Sequence, residues 1–244
     1  MSARLRMFAG PNGSGKSTIK EEIRLINPHW LGIYINPDDI EKEINESGSL
    51  NFDHFSVKTS KRQIIGFLRT ADQLIDNGLT SEITKLHFAS NSLTFHGVEL
   101  NSYLVSAIAD FLHEQLIASH MSFSFETVMS HPRKLEVLKS AVANGFRNYL
   151  YFVATEDPQI NISRVKTRVK QGGHDVPKHK IISRYYRTLN NLVAAVRVTN
   201  RAYIYDNSGT KATLIAEITD GKVIEIKNSS IPVWVSKYFL EKAG

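Results

Sequence analysis

The sequence predicts an α/β fold, a mostly parallel sheet covered by helices on both faces. Three observations carry that prediction. Short continuous apolar runs alternate with stretches of helical periodicity along the chain, as in sheets buried on both sides. The first run, residues 5–9, passes through Gly10-Pro11-Asn12-Gly13-Ser14-Gly15-Lys16-Ser17 into a helical pattern over residues 16–26. Acids stand where apolar runs end, at Asp38/Asp39, Glu126 and Asp206, the strand ends where such sheets collect their active groups.

The elements follow in order. Residues 5–9 form the first strand and the glycine-rich loop delivers the first helix. Residues 32–35 read as a second short buried strand. Asn36-Pro37-Asp38-Asp39 is a helix start, with Asn36 as N-cap, Pro37 at the first helical position and acids in the first turn. A helix or helix pair is expected over residues 53–77, stopped by Gly78. Partial alternation over residues 81–88 and 92–96 suggests a hairpin turning at Ser90-Asn91. Leu104, Ala107, Ile108, Phe111, Leu112 and Leu116 mark a helix over 102–119. A strand over 121–125 ends in Glu126-Thr127. A helix over 133–144 stops at Gly145, and residues 149–154 form another strand. Helices over 158–170 and 177–198 flank Gly172-Gly173, and residues 202–205 make a last buried strand ending in Asp206-Asn207-Ser208. Strands over 213–218 and 222–226 flank Asp220-Gly221, the strongest short hairpin signal in the chain. A short helix over 233–242 follows.

At 244 residues and 42% hydrophobic content, the chain suits one α/β domain, with residues 52–120 as an elaboration within it. The apolar runs are too short to span a bilayer and no leader is legible, so the expectation is a soluble, cytoplasmic protein. Without cysteine, thiolate catalysis, disulfides and cysteine-ligated zinc are excluded. The net charge is +6. Much of it falls between Arg164 and Arg187, a segment that suits nucleic acid, a solvated face or, preferred here, the gripping of phosphates.

The loop carries the sharpest chemistry. The full G-x-x-x-x-G-K-[ST] pattern between a strand and a helix is the phosphate-binding loop (P-loop) of nucleoside triphosphate sites. Its glycines let main-chain N–H groups approach phosphates at a helix N-terminus, Lys16 reaches the β/γ oxygens, and the Ser17 hydroxyl sits on Mg²⁺. Gly10, Pro11, Asn12, Gly13, Ser14, Gly15, Lys16, Ser17 and Thr18 are therefore the candidate ATP-binding set, with Asp206 added from the last strand end. If Asn36 caps its helix, Asp39 at N3 has a structural task and Asp38 is left to orient an acceptor hydroxyl and take its proton. Glu126 either holds Mg²⁺ through water or, with Thr127, fixes substrate hydroxyls. Arg164 and Arg168 share one helix face, and Arg184, Arg187 and Asn191 another. Residues 164–187, hinged at Gly172-Gly173 with His174 as a structural hinge residue, form a candidate lid bringing guanidinium groups onto the transferring phosphate.

These residues resemble a known family. Ala9–Thr18, Ile35–Asp39, Ser124–Thr127, Arg164–Val169, Gly172–Pro177, Arg184–Tyr185 and Asp206–Ser208, in this order, are similar to motifs of the zeta-toxin-like P-loop kinases, specifically the bacterial subgroup labelled predicted ABC-type ATPases. No L-S-G-G-Q-type signature of a true ABC ATPase occurs. The resemblance implies a three-layer P-loop sandwich of adenylate-kinase-like core with a helical lid, here extended by a C-terminal β-hairpin. It further implies Lys16 and Ser17 for ATP and Mg²⁺, Asp38 for the substrate hydroxyl, Glu126 for substrate or metal, and Arg164, Arg168 and Arg184 for phosphate charge. Toxin members phosphorylate the amino sugar of UDP-N-acetylglucosamine and pair with a small antitoxin. They often carry an acid where this chain has Asn36. The function expected is transfer of the ATP γ-phosphate to a small-molecule hydroxyl, a sugar nucleotide being the foremost acceptor class. The alternatives are a polynucleotide 5′-hydroxyl kinase, for which the basic segment offers few interleaved aromatics, and a nucleotide-gated ATPase or binding module of a toxin–antitoxin pair.

Overall fold

A computed structural model describes residues 2–173 and 175–243, so the hinge role read for His174 lies outside the described residues. The chain divides into two compact units, Met1–Gly32 with Ser122–Gly244, and Ile33–Met121. In chain order, β1 (Arg4–Ala9) leads through the glycine loop into α1 (Lys16–Ile26) and a 3₁₀ turn at Pro28–Trp30. The second unit holds β2 (Ile33–Ile35), α2 (Pro37–Ser47), β3 (Ser49–Asn51), a 3₁₀ turn (Phe52–Phe55) and α3 (Lys61–Thr70). The single turns α4 (Asp72–Ile75) and α5 (Thr80–Ile83) follow, then β4 (His87–Ala89), β5 (Ser92–Thr94) and α6 (Ser102–Ala118). The first unit resumes with β6 (Phe123–Thr127), α7 (Arg133–Ala143), β7 (Arg147–Ala154), α8 (Pro158–Lys170), α9 (Lys178–Asn190) and α10 (Leu192–Val196). It continues through β8 (Arg201–Asp206), β9 (Thr213–Thr219) and β10 (Val223–Ile226). The turns α11 (Val233–Val235) and α12 (Glu241–Ala243) bracket a π-type turn at Ser236–Leu240.

In the first unit, the strands run β10-β9-β8-β7-β1-β6. The pairs β6/β1, β1/β7 and β7/β8 are parallel, whereas β8/β9 and β9/β10 are antiparallel, the latter pair as the Asp220-Gly221 turn requires. Asp220 and Gly221 both have positive φ, 49° and 66°, the pairing of a type I′ turn. The parallel strands are apolar on both faces because each face is covered. On one, Phe8, Tyr151 and Val153 pack with Ile19 and Ile23 of α1, and the Phe8, Tyr151 and Tyr203 rings stack at 4.9 and 5.0 Å. On the other, α7 and α10 lie on β7, and Phe152 meets the Trp234 ring at 6.0 Å. Tyr151 is buried in this stack, which pushes its phenol up to about 12 and keeps it neutral. Asn148, fully buried on β7, donates to the Leu138 and Val198 carbonyls at 2.7 and 3.1 Å, joining α7 and the end of α10 to the sheet.

The second unit is organised by α6, whose Leu104, Val105, Ile108, Phe111, Leu112 and Leu116 are buried, with α2, α3 and α4 packed on it. Its small antiparallel sheet runs β3-β5-β4, and Phe52, Phe67 and Phe88 join Phe111 in one aromatic cluster. The hairpin turns at Ser90-Asn91 as expected, both in the left-handed region at φ 49° and 57°.

Several expectations need correction. Of the helix or helix pair expected over 53–77, the pair is found but begins only at Lys61, after a 3₁₀ turn and a break, because Ser56 is left-handed and Ser60 starts α3 afresh with a Gln63 capping box. Residues 81–83 belong to a helical turn, so that arm of the hairpin begins only at His87. The 177–198 helix breaks at Asn191, whose amide donates to the Met129 carbonyl at 2.9 Å. The strand expected to end at 125 runs on through Glu126 and Thr127. Among the described residues, no helix is long and apolar enough to cross a membrane.

Replacing Asn148 by Ala removes this donor from the Leu138 and Val198 carbonyls, at a cost of about 2–3 kcal/mol. Equilibrium urea unfolding of Asn148→Ala is expected to show that loss; a change below about 0.5 kcal/mol, the scatter of neutral substitutions, contradicts the role given to this side chain.

Candidate active site

The site begins where β1, β6 and β7 end side by side. Phe8 pairs with Glu126 and Tyr151, and Ala9 with Thr127 and Phe152. The loop leaving β1 is thus fixed at its first residue, where Gly10 N donates to the Thr127 carbonyl at 3.3 Å. A Cβ on Gly10 would lie 2.0 Å from the Val153 carbonyl oxygen, so only glycine lets the loop pass between its flanking strands. Gly13 and Gly15 take positive φ, 73° and 97°. Gly15 caps α1 with no side-chain hydrogen bond, and no acid occupies the first turn of α1. The first-turn N–H groups and helix dipole therefore favour an anion here.

The loop is gripped from two sides. From α8, the Asn161 amide donates to the Asn12 carbonyl at 2.6 Å, while its oxygen accepts from the Thr155 hydroxyl. From the turn after β8, the Asn207 amide donates to the Ser14 carbonyl at 2.7 Å. Both asparagines are buried, and the loop glycines make room for them. A Cβ on Gly13 would meet the Asn161 carbonyl oxygen at 2.7 Å, and one on Gly15 the Asn207 amide at 2.2 Å. Arg164 reinforces the second grip by donating to the Asn207 and Gly209 carbonyls at 2.7 and 3.0 Å. Asp206 turns away from the loop: its carboxylate accepts from the Ser208 N–H and hydroxyl, and from the Trp234 indole N–H at 2.7 Å.

Two of the expected groups meet directly. The Ser17 hydroxyl donates to Glu126 Oε2 at 2.9 Å. Glu126 is 9% exposed, so its carboxylate sits largely out of water, facing the first turn of α1. Lys16 arches over the loop, donating to the Gly10 and Pro11 carbonyls at 3.0 and 3.1 Å. Thr127 is used locally, its hydroxyl accepting from Met129 N at 3.0 Å, and Thr18 is exposed in the first turn of α1.

Arg168 and Arg184 stand half-buried on α8 and α9. Ile162, Val165, Val176 and Ile181 give this helix pair a small apolar core of its own. α9 is tethered to the segments that follow two strands: Tyr185 donates to the Thr155 carbonyl at 2.6 Å and Thr188 to the Val128 carbonyl at 2.7 Å. Burial raises the Tyr185 phenol far above its ordinary value, so it stays a neutral donor. Asn191, read as part of a lid face, is one of these tethers, and Arg187 is exposed and bonded to its own helix. In the second unit, Asn36 caps α2 as expected, accepting from Asp38 N at 3.2 Å. Asp38 and Asp39 are exposed on its first turn. Asp39 makes no hydrogen bond back to the cap among the described residues, so its contribution there is its charge.

Asn161 and Asn207 were not singled out from the sequence as gripping the loop. The available signal was a polar residue at a position of α8 that should face the core, and an Asn directly after the last parallel strand.

No family model matches the chain. An uncharacterized protein of Haemophilus influenzae is 28% identical over 178 residues, covering 73% of this chain and 89% of that protein. Among solved structures, the complex of AvrRxo1-ORF1 with AvrRxo1-ORF2 and ATP is similar over 93% of this chain, at a TM-score of 0.54 and 11% identity. The chain spans only 61% of that AvrRxo1 chain. The PezAT chromosomal toxin–antitoxin system of Streptococcus pneumoniae is similar over 98% of this chain and 78% of its own, at a TM-score of 0.51 and 12% identity. These likenesses show the fold. It is the mixed α/β P-loop fold, and the resemblance to zeta-toxin-like kinases read from the motifs is matched at that level.

The grip on the loop is testable without a ligand. Asn207→Ala removes the donor to the buried Ser14 carbonyl and Gly15→Ala displaces it, with added left-handed strain, so each costs about 1–3 kcal/mol. Because both break one contact, the double variant is expected to cost less than the two added together. Additive losses in thermal or urea unfolding contradict the contact.

Proposed function

We propose that this chain is an ATP-dependent kinase that transfers the γ-phosphate to a hydroxyl group of a small molecule. The observation that carries this reading is the Ser17–Glu126 pair beside the glycine loop. A hydroxyl and a carboxylate at the N-terminus of α1 form a hard-oxygen donor set, which suits Mg²⁺ and not a soft metal. Bound there by Ser17 and Glu126, Mg²⁺ would supply positive charge to the phosphate oxygens.

The chain's own residues divide the remaining work. Main-chain N–H groups of the loop and of the first turn of α1 receive the phosphates. Lys16, already positioned over the loop, turns its ammonium to the β/γ oxygens. Arg168 and Arg184 supply guanidinium charge to the transferring group, and Arg164 contributes by holding the 207–209 turn against the loop. Asp38, at the strand-end position where acceptor-orienting acids fall, accepts the proton of the attacking hydroxyl. Thr127 and Asp206 act through the backbone turns that they close. The acceptor class that the motif resemblance favours is a sugar nucleotide such as a UDP-amino sugar. A protein partner belongs to the same reading, since one of the fold neighbours is by name a toxin–antitoxin system.

The test is transfer from γ-labelled ATP, with Mg²⁺, into a metabolite extract and into UDP-N-acetylglucosamine. Lys16→Ala is expected to lose both nucleotide binding and transfer. Asp38→Ala is expected to lose transfer by about 10²-fold or more, the usual worth of a placed base, while ATP still binds. Full transfer by Asp38→Ala removes its assigned role. Absence of any labelled acceptor alongside steady ATP hydrolysis would replace the kinase with an ATPase.

A further inference from the structure

Apart from the loop, the first unit carries a second concavity, of about 300 Å³, lined by Glu156, Pro158, Tyr185, Tyr186, Trp234, Lys237 and Tyr238 along with Val233. That volume is at the lower end of the range that small-molecule sites occupy. Its walls come from three places: the start of α8, the middle of α9 and the C-terminal helical stretch. Four aromatic rings bound it. Tyr185 and Tyr186 meet edge to face at 5.2 Å, and Tyr186 is 45% exposed. The Trp234 indole N–H and the Tyr185 hydroxyl are already committed, to Asp206 and to the Thr155 carbonyl. These two side chains therefore offer a ligand only their ring faces and edges.

The polar groups left over are of opposite charge. Lys237 is exposed, its ammonium 5.5 Å from the centre of the Tyr238 ring, and it makes no ion pair among the described residues. Lys242 adds a second ammonium 5.2 Å from the same ring. The Glu156 carboxylate likewise has no ion pair or side-chain hydrogen bond among the described residues, since only its backbone N–H is used, by Ser208. Aromatic walls, cationic charge around one ring and a lone acceptor elsewhere on the rim define the complement.

We propose that this groove is a second ligand site, for a planar aromatic anion that carries a hydrogen-bond donor on its ring. The ring of the ligand stacks against the exposed Tyr186, its anionic group pairs with Lys237, and its donor meets Glu156. The site is separate from the nucleotide loop, and its test uses no nucleotide.

The experiment is calorimetric titration of the full chain with indole-3-carboxylate, with indole as the uncharged control. Saturable one-to-one binding is expected, weakened about tenfold by Lys237→Ala, the worth of one charge-assisted hydrogen bond, and similarly weaker for indole. Tyr186→Ala, on an exposed ring whose loss leaves the core intact, is expected to weaken binding as well. Lys16→Ala is expected to bind the probe as the parent does, which separates this site from the loop. Absence of saturable binding, or binding indifferent to both Lys237→Ala and Tyr186→Ala, overturns the proposal.

Discussion

The parallel register of three strands governs the candidate site. Because β6 and β1 stop level with one another while β7 runs two residues further, the loop after β1 emerges between the end of β6 and the last residues of β7. It is fastened to one through the Gly10–Thr127 hydrogen bond and passes within contact of the other at Val153. The same register puts Glu126 opposite Phe8, two residues before the loop starts, so that its carboxylate meets Ser17 in the first turn of α1. Shifting β6 by one residue would turn that carboxylate to the opposite face of the sheet. The apolar faces of these strands, covered by α1 on one side and by α7 and α10 on the other, make such a slip costly.

Around that fixed point the loop is held by side chains rather than by its own turns alone. Asn161 takes the part-buried Asn12 carbonyl and Asn207 the buried Ser14 carbonyl, so that loop carbonyls are satisfied by side chains from outside the loop. The grip extends outward: Arg164 ties down the carbonyls of the 207–209 turn, and Asp206 is itself held by Ser208 and Trp234. A chain of hydrogen bonds thus runs from the C-terminal helical stretch to the phosphate-binding loop. Preorganisation of this kind is what electrostatic catalysis requires, since donors already aimed need no rearrangement when charge develops.

Much of this was legible in the sequence. The strand–loop–helix setting of the glycine motif, the Asn36 cap and the Asp220-Gly221 turn rest on local chemistry, and local chemistry is what a single sequence displays. The end of β6 was misread because Glu126 and Thr127 look like a polar exit, whereas strand pairing with β1 carries them to the last rungs of the sheet. The division of residues 53–77 depended on Ser56 adopting a left-handed conformation, which its identity does not announce. Asn161 and Asn207 escaped for a different reason. Their partners are carbonyls more than a hundred residues away, and no spacing rule reaches that far.

The proposed function stands on Ser17 and Glu126 as a seat for the metal of a nucleotide complex. Its most direct test is the dissociation constant of ATP measured with and without Mg²⁺, for the parent chain and for Glu126→Gln. The amide keeps the shape of the side chain and removes its charge. Mg²⁺ is expected to tighten ATP binding to the parent and to do so far less in the variant, while metal-free affinity stays close to the parent value. An equal Mg²⁺ effect in both proteins would contradict it.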